Sequence, residues 1–182
     1  VYKALESVGA EVLLADDPAQ VLKAEKMVLP GVGAFGDFMN GLRSKKLDEA
    51  LQVKIERRTP LLGICVGMQA LFEGSEELGN HQGLGVLPGK VIRFKLPKDY
   101  KIPHTGWNQI WRKNDSPLLR GIPEGAYTYF NHSFYCVPDV EADIAAVTDY
   151  GIQYASMVQR NQIFGVQFHP ESFLSEFGWE LA

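Results

Sequence analysis

Hydrophobic and polar positions in the first 65 residues alternate between helical spacing and short apolar runs. The apolar runs are too short for helices, so they predict buried strands at residues 11–14, 27–29 and 59–64. Helical spacing predicts helices at residues 2–8, 35–41 and 47–58, and Asp17-Pro18 begins a further turn or helix. Strands that alternate with helices are typical of a parallel sheet covered by helices on both faces.

The second half of the chain changes to strands rich in Val, Ile, Tyr and Phe, separated by turn signals such as Asp149-Tyr150-Gly151. The predicted strands are residues 90–96, 127–137, 143–150, 152–159 and 163–168. Strands that follow one another this closely predict antiparallel hairpins added to the parallel core. The sequence therefore predicts one α/β domain over residues 1–182, three-layered, with a mixed, mostly parallel sheet and helices on both faces.

Composition and charge narrow the class of protein. Hydrophobic residues make up 46% and charged residues 22% of the chain, which is ordinary for a folded domain and excludes a disordered one. No apolar run approaches the roughly 20 residues that cross a bilayer, so no membrane partner is expected. A net charge of −4 argues against nucleic acid as a partner. Two cysteines are too few for a secreted disulfide framework, which favours a cytoplasmic location.

The segment Gly63-Ile64-Cys65-Val66-Gly67 carries the strongest chemical signal. A buried strand runs into a G-x-C-x-G turn and a helical pattern follows, which is the layout of a nucleophile elbow with cysteine in place of serine. The free N–H groups at the start of a helix favour a reactive thiolate, and the N–H of Val66 points to where an oxyanion forms. The alternative is a structural cysteine buried between two packing glycines.

A second signal ends the last predicted strand, at Gln167-Phe168-His169-Pro170-Glu171. A histidine near a thiolate acts as general base and then as acid, and a carboxylate two residues on can fix its tautomer. On its own this segment is typical of an ordinary turn. Paired with an elbow cysteine it predicts a triad of Cys65, His169 and Glu171.

The loop Pro30-Gly31-Val32-Gly33 follows a predicted strand and is a weaker signal. A glycine-rich loop in this position can hold a phosphate, but the Lys-Ser/Thr ending of a P-loop is missing. In an elbow enzyme the loop can instead give a second oxyanion donor, from Gly31, Val32 or Gly33. The histidines and cysteines lack metal-ligand spacing, so neither a metal nor another cofactor is expected.

These motifs, taken with two further segments, resemble the class I (triad-type) glutamine amidotransferases. The further segments are Pro103-His104-Thr105-Gly106-Trp107-Asn108 and Tyr129-Phe130-Asn131-His132-Ser133-Phe134-Tyr135. Within that family the chain is similar to the glutaminase subunits of imidazole glycerol phosphate synthase, an enzyme of histidine biosynthesis. The resemblance covers nearly the whole chain.

The resemblance implies a function and a partner. Glutamine is hydrolysed to glutamate and ammonia at Cys65, and the ammonia passes to a cyclase subunit, a (β/α)8 barrel, in a heterodimer. The cyclase forms imidazole glycerol phosphate and an aminoimidazole carboxamide ribonucleotide. Gln69 and Glu73 match positions near the bound glutamine, and the backbone at His132, Ser133 and Phe134 matches the segment that holds its amino-acid end. An exposed tryptophan suits a partner surface, so Trp107 and Asn108 are expected there.

Three departures from the family pattern leave alternatives open. The family opens with a strand before the first helix, whereas this sequence starts in that helix, so the sheet is expected to have an open edge. Ser172 stands where the family commonly has lysine, which removes the basis for an interface ion pair there. The residues from Ser172 to Gly178 look more like the glutaminase subunit of anthranilate or aminodeoxychorismate synthase. A non-enzymatic regulatory module is the remaining alternative.

Overall fold

The computed structural model describes residues 1–172, and its helices are short. They are α1 Tyr2–Ser7, α2 Pro18–Lys23, α3 Phe35–Ser44, α4 Leu47–Glu56 and α5 Val66–Ala70. Asp17 begins α2 as its cap, because its carboxylate accepts the N–H groups of Ala19 and Gln20 at 2.8 and 3.1 Å. The helices predicted at residues 2–8, 35–41 and 47–58 are confirmed, with boundaries within a few residues, and the segment that begins at Asp17-Pro18 is a helix.

The strands form two sheets. They are β1 Met27–Gly31, β2 Leu61–Cys65, β3 Phe72–Ser75, β4 His81–Gln82, β5 Leu87–Arg93, β6 His104–Arg112, β7 Ala126–His132, β8 Phe134–Pro138, β9 Ile144–Asp149, β10 Gln153–Arg160 and β11 Ile163–Val166. The larger sheet has the order β1-β2-β11-β10-β9-β6-β7, and the smaller has the order β4-β3-β5-β8. The α/β fold with a mixed sheet is confirmed.

Three parallel strands at one end of the larger sheet bring distant parts of the chain together. β2 lies between β1 and β11 and is parallel to both, with Gly31 opposite Cys65 and Val166 opposite Ile64. The remaining neighbours in this sheet pair antiparallel. Because parallel strands end at the same edge, the segments that follow Gly31, Cys65 and Val166 meet there.

Two hydrophobic cores cover the opposite faces of the larger sheet. Alternate residues of one strand belong to different cores: Ile163 is in the core that contains Phe35, and its neighbour Phe164 is in the core that contains Phe130. Successive strand residues point to opposite faces, so this alternation shows that β11 is buried on both sides. Because β11 is packed on both faces, it fixes the position of the segment that follows it from Gln167 onwards.

Several strand predictions differ from the structure. The strand predicted at residues 11–14 is wrong: this segment has no regular structure, and Leu13 and Leu14 are exposed. Its apolar residues fit a strand, but within residues 1–172 no neighbouring strand pairs with it, and a strand needs such a partner. The strands β3, β4 and β6 were not predicted, and the strand predicted at residues 127–137 is divided at Ser133.

β1 and β7 are the two outer strands of the larger sheet. The resemblance of residues 173–178 to another glutaminase subunit lies outside the described residues. Across residues 1–172 no helix combines the length and hydrophobicity needed to span a membrane.

Candidate active site

Cys65 lies on a sharp turn between β2 and α5. It is the last residue of β2 and the cap of α5, with φ 54° and ψ −111°. A residue other than glycine rarely adopts a positive φ, and such strain is typical of a nucleophile held on an elbow. The side chain is buried, with 5% of its surface exposed.

Two glycines let the backbone pass close to itself on either side of the cysteine. A Cβ at Gly67 would lie 1.7 Å from the carbonyl oxygen of Leu29. A Cβ at Gly63 would lie 2.6 Å from the carbonyl oxygen of Gly67. Both distances are far below van der Waals contact with backbone atoms that have no room to move. The G-x-C-x-G spacing is therefore required by packing as well as by the turn.

His169 and Glu171 lie beside the cysteine. The Nδ1 atom of His169 is 3.0 Å from Oε1 of Glu171, and the Cys65 sulfur is also a hydrogen-bond partner of His169. Burial by itself lowers the pKa of His169, but the hydrogen bonds with Cys65 and Glu171 outweigh it and raise the pKa to about 10. Burial also favours neutral Glu171, but its hydrogen bond with His169 holds the pKa of Glu171 below its usual value. This arrangement favours the imidazolium form of His169 beside the carboxylate of Glu171.

The predicted oxyanion residues surround the start of α5. Val66 is the first residue of α5, where backbone N–H groups have no partner within the helix. Gly31 lies so close that a Cβ there would be 2.8 Å from the backbone nitrogen of Gly67. Val32 is 80% exposed, and Gly33 has a φ of +86° with open space around it. Gly31 thus lies against the elbow, and a second oxyanion donor from this loop stays a prediction.

The residues predicted to hold glutamine are divided between buried and exposed positions. Gln69 is buried, and its amide nitrogen donates at 3.1 Å to the carbonyl oxygen of Phe134. His132 is buried as well, and Ser133 lies at the bend between β7 and β8. Glu73 is exposed on β3, and within residues 1–172 its carboxylate makes no hydrogen bond. Gln69 and the bend are therefore better placed than Glu73 to line the site.

Trp107 and Asn108 occupy β6, next to the outer strand β7. Trp107 is 49% exposed and packs edge-to-face on Tyr129, with ring centroids 5.2 Å apart. The ring of Tyr129 in turn lies 6.4 Å from the His169 ring, and its backbone carbonyl oxygen accepts a hydrogen bond from the backbone N–H of His169 at 2.9 Å. The amide nitrogen of Asn108 turns inward and donates to the carbonyl oxygen of Asp149 at 2.8 Å. The exposed aromatic surface at Trp107 is thus connected to His169 by packing.

Sequence reasoning missed two buried polar residues of this region, Gln167 and Tyr154. Gln167 is fully buried, and its amide nitrogen lies 3.6 Å from the Cys65 sulfur. Its position two residues before His169 was an available signal, because alternate residues of an extended segment share one side. The hydroxyl of Tyr154 lies 3.2 Å from both Nε2 of His132 and Nδ1 of His104.

Cys65 is expected to react with iodoacetamide before Cys136 does. Cys136 is 1% exposed, and burial raises its pKa well above the usual value for a thiol. At pH 7 the ratio of labelling rates should be at least about tenfold, because every unit of pKa above the pH removes a factor of ten of thiolate. Peptide mass mapping after a limiting dose measures the ratio, and urea-unfolded protein provides the control. Equal labelling of the two cysteines in the folded chain would contradict the assignment of Cys65 as nucleophile.

The free energy of unfolding is expected to fall as pH drops from 6.5 towards 4. Burial lowers the pKa of His104 to about 4 and that of His132 to about 3, so both are neutral when folded and bind protons when unfolded. With respect to these two histidines, the free energy of unfolding has its full value above about pH 6.5. Below that pH, each imidazole lowers the free energy of unfolding by about 1.4 kcal/mol per pH unit.

His169 acts in the opposite direction. Because its pKa is raised to about 10, its contribution is complete below about 6.5 and is lost as pH rises towards 10. The maximum of stability should therefore lie near neutral pH. Urea unfolding at pH 5, 6, 7 and 9 tests the loss of stability in both directions. A constant free energy of unfolding between pH 6.5 and 4.5 would contradict the loss at acidic pH.

A metal site does not emerge from the geometry. Within residues 1–172 no three His, Cys, Asp or Glu side chains are grouped so that they could hold a metal ion. Both cysteines are free thiols. What the described residues offer is a thiol, an imidazole and a carboxylate in hydrogen-bonded order.

Sequence comparison identifies relatives of the chain. The model of the family "Glutamine amidotransferase class-I" matches residues 1–182. The imidazole glycerol phosphate synthase subunit HisH of Moorella thermoacetica is 48% identical over 171 residues, covering 94% of this chain and 80% of the relative. The subunit of the same name from Aquifex aeolicus is 47% identical over 172 residues, covering 94% of this chain and 82% of the relative.

Solved structures agree with the fold. PurLQS from Thermotoga maritima superposes with a TM-score of 0.71 at 22% identity, covering 99% of this chain and 87% of that one. The glutaminase domain of CTPS from Trypanosoma brucei gives a TM-score of 0.67 at 16% identity, covering 99% of this chain and 82% of that one. Such low identities support the fold alone. The match of the family model to the whole chain, together with the nearly half-identical relatives, shows that the chain belongs to the class I glutamine amidotransferase family.

Proposed function

We propose that this chain is the glutaminase subunit of an imidazole glycerol phosphate synthase, with Cys65, His169 and Glu171 as its triad. The observation that carries the proposal is the hydrogen-bonded series from Glu171 through His169 to the strained elbow at Cys65. The HisH relatives support the assignment to histidine biosynthesis. We treat residues 1–182 as one domain, because the sheet and both cores involve residues from both halves of the chain.

The first half of the reaction forms a thioester. The thiolate of Cys65 attacks the side-chain carbonyl carbon of glutamine, and the carbonyl electrons move onto its oxygen. The N–H of Val66 and a donor from the loop Gly31-Val32-Gly33 stabilise that oxyanion. When the tetrahedral adduct collapses, His169 gives its proton to the departing nitrogen, so ammonia leaves and a glutamyl thioester remains.

The second half returns the enzyme to its starting state. Neutral His169 takes a proton from water, and the hydroxide attacks the thioester carbon through a second oxyanion. Collapse expels the Cys65 thiolate beside the imidazolium and releases glutamate. Glu171 holds Nδ1 of His169, which leaves Nε2 for the sulfur, the water and the leaving nitrogen. Gln69 and Glu73 would lie near the bound glutamine, and the backbone of His132, Ser133 and Phe134 would hold its amino-acid end.

The ammonia is passed to a cyclase subunit with a (β/α)8 barrel, which uses it to make imidazole glycerol phosphate and an aminoimidazole carboxamide ribonucleotide. The surface at Trp107 supports a contact with this partner, because a half-exposed tryptophan seated on another aromatic ring is typical of an interface anchor. Asn108 would contact the cyclase partner through the side-chain atoms that its hydrogen bonds within this chain leave available. We place the heterodimer in the cytoplasm, in agreement with two free thiols.

The test combines an assay with genetic complementation. With a cyclase subunit present, the chain should release glutamate from glutamine in step with imidazole glycerol phosphate formation. It should also restore growth of a bacterium that lacks its own glutaminase subunit for histidine synthesis. Failure of both, with a folded chain and an active cyclase, would overturn the proposal.

The alternative of a glutaminase subunit for anthranilate or aminodeoxychorismate synthase is not favoured. The relatives at 43–48% identity carry the name of the imidazole glycerol phosphate synthase subunit. Complementation distinguishes the two, because the alternative predicts rescue of a tryptophan or folate auxotroph and no rescue of the histidine auxotroph.

A further inference from the structure

Two buried carboxamides connect the Cys65 sulfur to a main-chain carbonyl. Nε2 of Gln167 lies 3.6 Å from the sulfur of Cys65, and Oε1 of Gln167 accepts from Nε2 of Gln69 at 3.1 Å. The same nitrogen of Gln69 donates to the carbonyl oxygen of Phe134 at 3.1 Å. Both glutamines are at least 97% buried, so water cannot replace these contacts.

The carbonyl oxygen of Phe134 sets the direction of every hydrogen bond in this series. A carbonyl only accepts, so Gln69 must present its NH2 group to Phe134. The same NH2 group faces Gln167, which must therefore present its oxygen there and its own NH2 group to Cys65. Turning the Gln167 amide over would place two NH2 groups together and an oxygen against the thiolate. The series thus ends in an N–H donor aimed at sulfur.

The Phe134 carbonyl is held from its other side as well. It accepts a second hydrogen bond from Nδ1 of His132 at 2.8 Å, which places the His132 proton on Nδ1. The hydroxyl of Tyr154 then donates to Nε2 of His132 and accepts from Nδ1 of His104. A buried network in which each member has its partner is rigid, because breaking any bond leaves an unpaired polar group.

The local sequence explains why the donor comes from Gln167. Its backbone N–H bonds to the carbonyl oxygen of Ser156 at 2.9 Å, so the segment leaves β11 still attached to β10. Phe168 is fully buried and packs on Phe130, with ring centroids 5.9 Å apart. Gln167 and His169, on either side of it, both reach the sulfur. One segment therefore supplies two of the groups around the nucleophile.

We propose that Gln167 is a positioning residue for the nucleophile: its amide N–H stabilises the Cys65 thiolate and holds the sulfur in line with His169. Gln69, through its bond to Gln167, fixes the direction of this donor. The proposal rests on the proposed glutaminase function for its importance to catalysis. Its physical content, a hydrogen bond from Gln167 to the thiolate, can be measured without glutamine or a partner.

The experiment measures the rate of Cys65 alkylation by iodoacetamide from pH 6 to pH 10 in the full chain. Gln167→Met keeps the length of the side chain and removes the donor. At pH 7 it should alkylate about 10- to 100-fold more slowly than the parent, the value of one hydrogen bond to a charged group. At pH 10 the two rates should converge, because thiolate then forms in both. The matched control is Gln159→Met, the same change on β10, which should alkylate at the parent rate.

Two further readouts keep the proposal falsifiable. If Gln167→Met does not fold, Gln167→Glu keeps the shape and an acceptor for Gln69 but replaces the donor by an oxygen, so it should also alkylate more slowly at pH 7. In the complex with the cyclase, Gln167→Met should lower kcat for glutamine and leave KM within about twofold. A parent-like rate at pH 7, or a loss equal at every pH, would overturn the proposal. Absence of glutaminase activity in the parent would instead overturn the proposed function and leave the alkylation result standing.

Discussion

Cys65→Ala is expected to abolish glutamine-dependent synthesis by the complex while synthesis from an ammonium salt continues. Removing the nucleophile of a triad costs on the order of 10⁵- to 10⁶-fold in rate, since thioester formation has no substitute. Under the proposed function the cyclase site is on the other subunit, and ammonia is the only substrate that it takes from the glutaminase. Formation of imidazole glycerol phosphate from glutamine and from ammonium chloride, measured on the same preparation, separates the two steps.

Two variants serve as controls for Cys65→Ala. Cys136→Ala makes the same change at the other buried cysteine, which lies on β8, and should keep glutamine-dependent activity. Glu171→Gln should be impaired by up to about 10⁴-fold but remain above Cys65→Ala, because an orienting group matters less than the nucleophile. Substantial glutamine use by Cys65→Ala would contradict the triad. So would a greater loss in Glu171→Gln.

The proximity of Cys65, His169 and Glu171 could be predicted from sequence because each is attached to a strongly patterned strand. The apolar run before Cys65 and the apolar run before His169 both predict buried strands, and the structure pairs them in parallel as neighbours. Parallel neighbours end at the same edge, so the segments that follow them meet without further information. Local pattern and topology agree here, and the prediction depended on both.

The network around Gln167 could not be predicted in the same way. Its members come from β6, β7, β8, β10, α5 and the end of β11, and no sequence spacing relates them. β6 was itself missed, because His104-Thr105-Gly106-Trp107-Asn108 contains a glycine and polar residues that are unusual in strands. Buried polar contacts are decided by tertiary packing, which a propensity does not report. The failure at residues 11–14 has the opposite origin, since there the propensity was present and the partner strand was absent.

The glutaminase is expected to be nearly idle alone and to gain activity about 10²- to 10³-fold on binding the cyclase with a ligand in its nucleotide site. That factor is the cost of one missing oxyanion donor, which a single peptide rotation in the loop Gly31-Val32-Gly33 could supply or withdraw. The loop is suited to this, because Val32 is 80% exposed and Gly33 has open space around it. Glutamate release by the chain alone, with the cyclase, and with cyclase and ligand measures the activation. Full activity in the isolated chain would contradict the switch.

The structure also indicates which glycine can test the hinge. Gly31 is unsuitable, because a Cβ there would meet the backbone nitrogen of Gly67 at 2.8 Å and disturb the elbow itself. Gly33 has a φ of +86° with nothing within 4 Å of a Cβ, so Gly33→Ala adds backbone strain and no clash. That strain disfavours the left-handed arrangement by about 1–2 kcal/mol, or about 5- to 30-fold in population. If this arrangement belongs to the idle state, basal activity rises, and if it belongs to the active state, stimulated activity falls.

If the left-handed arrangement belongs to the idle state, the ratio of stimulated to basal glutaminase activity should fall about 5- to 30-fold in Gly33→Ala, because basal activity rises by that factor while the stimulated chain is already mostly active. If it belongs to the active state, basal activity should fall about 5- to 30-fold and stimulated activity by no more than that. Gly9→Ala is the matched control: Gly9 has the same φ of +86° and the same open space but follows α1, away from the elbow. It should lose similar stability and keep the parent ratio. Unchanged basal and stimulated activities in Gly33→Ala would exclude rotation at Gly33 as the origin of the activation, and the packed series from Trp107 through Tyr129 to His169 would then be the next connection to test.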